Sequence, residues 1–371
     1  MSPLERRFFS LLRAGLGGGA PDAALFTPDT DWETLYKLSF EQTVVGLVTD
    51  GIHRLPKECL PVQEERLDPF LGDLMFTETR NGQLNRAIPK LLRALADLPV
   101  AVVKGQPVGL CYPDPLRRQP GDIDLLLPPD AYPRAKEILL PKATKVEEES
   151  PEILHQGMFF GSVEVELHGT LSTLMSPSLD RKIKSLQDKM FRRGLSTCVL
   201  DGSPVTVPDA VFSAEYEFVH FLHHYWSGGV GLRQVIDWSL FLSAHLDEID
   251  PARVRADIQW LGMARLWHAF LAFAVEYLCM PESVPARLAW RPLRSGRRNA
   301  RIWAHIRRSG NFGKNAERTR GGESYLVRKF HSFWLLVVHD RLRHFMTFPL
   351  ESLRFFFGAF GYGLGRLAKG E

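Results

Sequence analysis

A chain of 371 residues with 45% hydrophobic content buries a sizeable core and is long enough for two or three domains. Its four cysteines, Cys59, Cys111, Cys198 and Cys279, have neither disulfide-scaffold nor zinc-ligand spacing and fit a reducing, cytoplasmic setting. Net charge is +3, no apolar run reaches the ~18–20 residues of a membrane span, and the basic N-terminal stretch is broken at Arg13, which makes it a poor signal peptide.

Residues 1–97 read as a helical region, with apolar residues three and four apart over Glu5–Leu16, Asp31–Ile52 and Leu67–Leu98. Gly17 to Gly19, Pro56 and Pro61 break the pattern. Residues 98–207 form a strand-rich core: Val100–Val103, Ile123–Leu127, a helix over Ala131–Leu140, then Met158–Phe160, Val163–Leu167 and Ser203–Val207. Pro208-Asp209 opens a helical domain over 208–285, with Gly228-Gly229 as the turn between two helices. Residues 286–371 read as a basic connector, densest over Arg287–Arg328, and an aromatic-rich helical tail over His331–Leu367. No internal repeat is present.

Charge is uneven. From residue 286 onward 18 Lys and Arg stand against 5 Asp and Glu, a net +13, so residues 1–285 carry −10 of the chain's +3. The acidic body disfavours nucleic acid as a partner. A basic aromatic tail can lie on an anionic membrane surface, but Trp334-Leu335-Leu336 and Phe355-Phe356-Phe357 favour docking on the chain's own core.

The chemistry gathers in the strand-rich core. Asp122 and Asp124 sit two apart in an apolar run, so on a strand their side chains leave together, roughly 7 Å apart at their bases. Paired buried carboxylates repel unless a cation or proton neutralises them, and hard oxygen ligands suit Mg²⁺. Upstream, the strand ending in Lys104-Gly105 suggests a phosphate cradle: a point charge beside a residue that admits close backbone approach. Downstream, Glu164, Glu166 and His168 share the polar face of one strand, which can lend a third carboxylate to the pair. Such a kit suits two-metal transfer from a nucleoside triphosphate. The plainer alternatives are solvated strand-end carboxylates, a surface lysine, a turn glycine, and an orienting or packing role for His168.

The order K-G, Y-x-D-P, R-x-x-x-D-I-D-L-L and E-L-H is carried by Lys104, Gly105, Tyr112, Asp114, Pro115, Arg118, Asp122, Asp124, Glu166 and His168. It resembles the bacterial uncharacterised nucleotidyltransferases of the polymerase-β-like superfamily. Residues 220–242, HFLHHYWSGGVGLRQVIDWSLFL, resemble that family's helical half, and the likeness runs from about residue 30 to 280. Lys104-Gly105 stands where the wider superfamily has Gly-Ser, and residues 106–121 make a longer excursion than usual before Asp122. The resemblance implies an α+β fold, a nucleotidyltransferase-type mixed sheet with N- and C-terminal helical regions. It also implies transfer of a nucleotidyl group from an NTP to an acceptor hydroxyl of a small molecule, sugar or peptide natural product, with Mg²⁺, or Mn²⁺, as cofactor. Asp122, Asp124 and Glu166 would be catalytic and metal-holding; Lys104 and Gly105 would bind the nucleotide, with Arg118 assisting. The alternatives are an NTP-dependent phosphotransferase at the same site, or a silent nucleotide-binding or scaffold protein with a membrane-surface tail.

His220 and His224 share a helical face, a spacing that binds transition metals, but no HExxH pattern or cysteine accompanies them. The preferred expectation is that His220, Arg233 and Asp237 form a polar patch on the cleft.

Overall fold

The computed structural model describes residues 1–173, 175–291, 295–311 and 340–358, and its fold is α+β. Five short strands form the central sheet: β1 (Ala101–Val102), β2 (Ile123–Leu126), β3 (Lys145–Val146), β4 (His155–Phe160) and β5 (Val163–His168). Their spatial order is β1-β2-β5-β4-β3. Only β2 and β5 run parallel; the other pairs are antiparallel. A separate hairpin joins β6 (Ser196–Leu200) to β7 (Ser203–Val207) through Asp201-Gly202, both at positive φ, as a two-residue turn of right-handed twist demands.

β2 is buried at every residue, Asp124 included. β5 alternates: Val163, Val165 and Leu167 are buried, while Glu164, Glu166 and His168 are half-buried on the other face. The apolar set packs with Leu84, Ile88 and Leu95 at the end of the long helix Asp68–Ala94, and with Tyr132 and Leu139 of helix Tyr132–Leu139. That covers one face of the sheet and leaves the polar residues for the cleft on the other.

A second, larger core joins helices from both ends of the chain. Phe8 and Phe9 of helix Pro3–Gly15 meet Trp303 of helix Gly296–Ser309 at 5.8 and 4.8 Å, and Phe9 meets Tyr277 at 5.1 Å. Trp238 and Trp267, from helices Leu232–Ala244 and Ala264–Tyr277, stack edge-on at 5.0 Å in the same cluster. Each large apolar side chain buried there contributes about 2–3 kcal/mol.

Three differences from the sequence expectation have physical causes. The helix expected over Asp31–Ile52 is two, Trp32–Glu41 and Val45–Ile52, because Thr43 turns the chain at φ 54°. Helix Pro177–Arg193 and strand β6 were not anticipated. Within the expected basic connector lies helix Gly296–Ser309, whose Trp303 is buried with its Nε1 donating to Glu5 Oε1 at 2.8 Å.

The described part of the tail is docked. Phe348 and Phe355 are each 2% exposed and meet Trp226 at 5.8 and 5.1 Å. Arg354 donates to the carbonyls of Gly262 and Leu261 at 2.9 and 2.8 Å. Of Phe355-Phe356-Phe357 only the first is buried, and Trp334-Leu335-Leu336 lies outside the described residues. Among the described residues no helix is long and apolar enough to cross a membrane. Removing residues 340–371 should lower the thermal midpoint in lipid-free buffer, and Phe348→Ala alone should destabilise by about 3 kcal/mol. A truncated protein that melts like the parent would show that these contacts carry no stability.

Candidate functional site

Parallel pairing of β2 with β5 sets Asp124 directly opposite Glu166. Asp122, two residues before Asp124, leaves the strand on the same side. Asp122, Asp124 and Glu166 each present a carboxylate oxygen within 4.8 Å of the others. Lys104, just past β1, answers this charge: its Nζ lies 3.0 Å from Asp124 Oδ2 and 3.5 Å from both oxygens of Asp122. Burial alone would lower the Lys104 pKa, but Asp122 and then Asp124 outweigh it and hold the ammonium well above its ordinary range. Gly105 follows at φ 78°, ψ −119°, a backbone that a side chain would strain.

Two histidines complete the cluster. His168 Nε2 is 2.9 Å from Asp124 Oδ1 and 3.4 Å from Glu166 Oε2, and His155 Nε2 is 3.4 Å from the same Glu166 oxygen. Burial would depress His168, yet Asp124 and Glu166 raise it to about 9, so the ring is an imidazolium at neutral pH. Burial works against ionised Glu166 as well, but His155 and His168 hold its pKa far below the usual carboxylate range. Asp124 moves the other way, pushed up by burial and by Asp122, with Lys104 and His168 pulling it back.

Asp122 and Glu166 open on a cleft of 470 Å³, within the usual size of a small-molecule site, with Asp124 buried beside them. Its opposite wall is built on Asp237, which accepts from Tyr112 Oη at 2.7 Å and from Arg118 Nε and Nη2, both at 2.9 Å. Asn81 donates to the carbonyls of Leu116 and Arg118, and Arg233 Nη1 to that of Gln119, at 3.0, 2.9 and 3.1 Å. The excursion 106–121 is therefore tied down at several points. Arg118 Nη1 has no hydrogen-bond partner among the described residues.

The sequence profile of a family described as an uncharacterised nucleotidyltransferase matches residues 28–279. The chain belongs to this uncharacterised nucleotidyltransferase family. A crystal structure of an antigenic nucleotidyltransferase-like protein from Paracoccidioides brasiliensis aligns at 16% identity with a TM-score of 0.30, over 43% of this chain and 76% of that one. No curated protein matches the chain.

In this chain Lys104, Gly105, Arg118, Asp122, Glu166, His220, Arg233 and Asp237 all border the one cleft, while Asp124 and His168 are not part of its lining and contact Lys104 and Glu166. His220 and His224 have rings 4.7 Å apart, and burial, reinforced by neighbouring cations, holds His220 well below its ordinary pKa and His224 at about 3. Sequence reasoning missed two residues. His155 comes to Glu166 only through the register of β4 with β5. Glu217, on helix Ala210–Ser227, borders the cleft with its Oε1 lacking a hydrogen-bond partner among the described residues. Burial, then Asp237, raises Glu217 from the ordinary 4.5 to about 8 despite Arg118 and Lys104.

The Glu217 shift sets a pH dependence. Below pH 4.5 both the folded and the unfolded carboxyl are protonated; between 4.5 and about 8 the unfolded state ionises first, and stability is lost as pH rises. Glu217→Gln should match the parent near pH 4 and exceed it by a margin that grows to a few kcal/mol towards pH 8, one pKa unit being worth about 1.4 kcal/mol. Denaturant midpoints measured across that range check this. A margin that shrinks with rising pH would contradict it.

Proposed function

We propose that this chain transfers a nucleotidyl group from an NTP to an acceptor hydroxyl and releases pyrophosphate, with Mg²⁺, or Mn²⁺ in its place. The observation that carries this reading is the register of Asp124 with Glu166, which gathers three carboxylates, two of them lining a cleft that Lys104 and Gly105 also border. A donor set made only of carboxylate oxygens fits a hard divalent cation, and Asp122, Asp124 and Glu166 would hold it. When bound, Mg²⁺ supplies charge neutralisation for the triphosphate and acidifies the acceptor hydroxyl.

The protein's own groups do the rest. Lys104 binds a triphosphate oxygen, and Gly105 lets the backbone approach the phosphates. Arg118, committed to Asp237 through two donors, assists with Nη1. Glu166, more open than Asp124, faces the nucleophile and helps take its proton. His168 orients Asp124 and Glu166. His220, Arg233 and Asp237 form the acceptor side of the cleft, where the hydroxyl of a sugar or peptide natural product would enter. The docking of Phe348 and Phe355 supports a tail that belongs to the core rather than to a lipid surface.

Nucleotide binding is testable by thermal shift with the four NTPs and Mg²⁺. A millimolar ligand of micromolar affinity should stabilise the fold by about 4 kcal/mol. Asp122→Asn or Asp124→Asn should abolish that shift and the turnover while leaving the protein folded, each having removed one of two repelling charges. If both variants bind Mg-NTP like the parent, the acidic trio is not the metal site.

Glu166→Gln should reduce turnover far more than NTP affinity, and Glu164→Gln should do less of either. The opposite ranking would move the role to Glu164. The released product decides the reaction: pyrophosphate supports nucleotidyl transfer, and a nucleoside diphosphate would mean phosphoryl transfer instead.

A further inference from the structure

Beside the all-oxygen trio lies a second ligand group of different chemistry. β4 pairs antiparallel with β5 so that His155 is the register partner of His168, and Glu166 is two residues before His168 on the same face. One ligand atom from each of His155, Glu166 and His168 lies within 4.8 Å of the other two. Two edges are tighter: both histidine Nε2 atoms are 3.4 Å from Glu166 Oε2. Zinc bonds of about 2.0–2.1 Å arranged tetrahedrally put ligand atoms about 3.3–3.4 Å apart, so both edges already have the required length. All three side chains retain some solvent exposure, which leaves a fourth position for water.

We propose that His155, His168 and Glu166 form a site for a borderline-soft divalent transition cation of the zinc class, separate in chemistry from the hard-cation trio. Two imidazoles and one carboxylate favour Zn²⁺ or Co²⁺ over Mg²⁺, which seeks oxygen ligands. The strands fix the ligands before the ion arrives, since their register sets the pair His155–His168. As the ion binds, His168 Nε2 turns its lone pair to the metal and its proton leaves to solvent. The site's regulatory consequence rests on the nucleotidyltransferase reading: Glu166 belongs to both ligand groups, so zinc-class binding withdraws it from the acidic trio and silences Mg²⁺-dependent transfer. The helical histidines 220, 223 and 224 form no comparable group; among the described residues they do not bring three ligand atoms within the same reach.

The test uses the full chain, stripped of metals and titrated with Co²⁺ as a visible stand-in for Zn²⁺. The parent should show the d–d absorption of Co²⁺ held by nitrogen and oxygen in four- or five-coordinate geometry, and Zn²⁺ should bleach it. His155→Ala and His155→Gln should each weaken Co²⁺ at least about tenfold, since even outer-shell losses cost that much, while Asp122→Asn keeps the bands. Micromolar Zn²⁺ should inhibit parental turnover, and His155→Ala should need at least about ten times more. Bands that survive both His155 variants, that disappear with Asp122→Asn instead, or that never form would overturn the proposal. Co²⁺ bands that depend on His155 in a protein that fails to bind Mg-NTP would uphold this site and defeat the nucleotidyl reading alone.

Discussion

The parallel pairing of β2 with β5 is the constraint on which the rest of the site depends. It sets Asp124 level with Glu166, and with Asp122 two residues away it forces three carboxylates onto one face. Like charges about 4–5 Å apart repel by about 3–4 kcal/mol at an effective dielectric near 20, so this register cannot stand without counter-charge. Lys104 and His168 provide it, the first at 3.0 Å and the second at 2.9 Å from Asp124. Three acids against two cations leave a negative balance beside the cleft, and that balance makes the arrangement attractive to a divalent ion. The same interactions hold His168 protonated and Glu166 ionised.

A charged pocket is useful only if its far wall stays in place, and here the wall is a buried ion-pair hub. Asp237 takes both donors of a bidentate Arg118 and the hydroxyl of Tyr112, all buried. Removing one partner of such a pair typically costs 3–5 kcal/mol, because the other charge is left buried alone. The hub joins the excursion 106–121, which hangs from the sheet, to helix Leu232–Ala244, which belongs to the large aromatic core. That core also contains the helices at both ends of the chain, so cleft geometry is coupled to the packing of Phe8, Phe9 and Trp303, far away in sequence.

Much of this was legible in the sequence wherever the signal was local. An Asp-x-Asp inside an apolar run and an alternating Val-Glu-Val-Glu-Leu-His each announce a strand and a face, and β2 and β5 lie within a residue of their expected limits. Gly105 was marked in sequence as a residue that admits close backbone approach, and its backbone at φ 78°, ψ −119° is one that a side chain would strain. The alternation of β5 also marked Glu164, Glu166 and His168 for one polar face that could lend a third carboxylate to Asp122 and Asp124, and the pairing of β2 with β5 supplies it from Glu166. What depends on non-local register was invisible: nothing near His155 says that β4 will set it opposite His168. Glu217 is similar, since a glutamate on an aromatic helix shows no sign of being buried until Arg118 and Asp237 arrive from elsewhere. Other signals were present but absent from the expectation. Asp201-Gly202 is a strong hairpin turn, and Leu179, Ile183, Leu186 and Met190 have the spacing of an apolar helix face, which they form in Pro177–Arg193.

The uneven charge acquires a structural meaning from these contacts. A net +13 after residue 285, facing −10 before it, looks in sequence like a surface for an external polyanion. The described arginines of that segment are instead largely engaged with the chain itself. Arg307 bonds Glu5 at 2.8 Å and Arg287 pairs with Asp247. Arg301 donates to the carbonyl of Met346 at 2.6 Å, and Arg354 reaches two carbonyls at the C-terminus of helix Pro251–Leu261. Cations at a helix C-terminus meet both orphan acceptors and the negative end of the dipole. Exposed pairs of this kind contribute about 1 kcal/mol or less each, so their work is to choose a docking geometry rather than to hold the fold by force. The burial of Phe348, Phe355 and Trp303 supplies the force. The described arginines of the basic end thus act as internal partners for the rest of the chain, and among the described residues the cleft gathers acidic side chains that can select a ligand by charge.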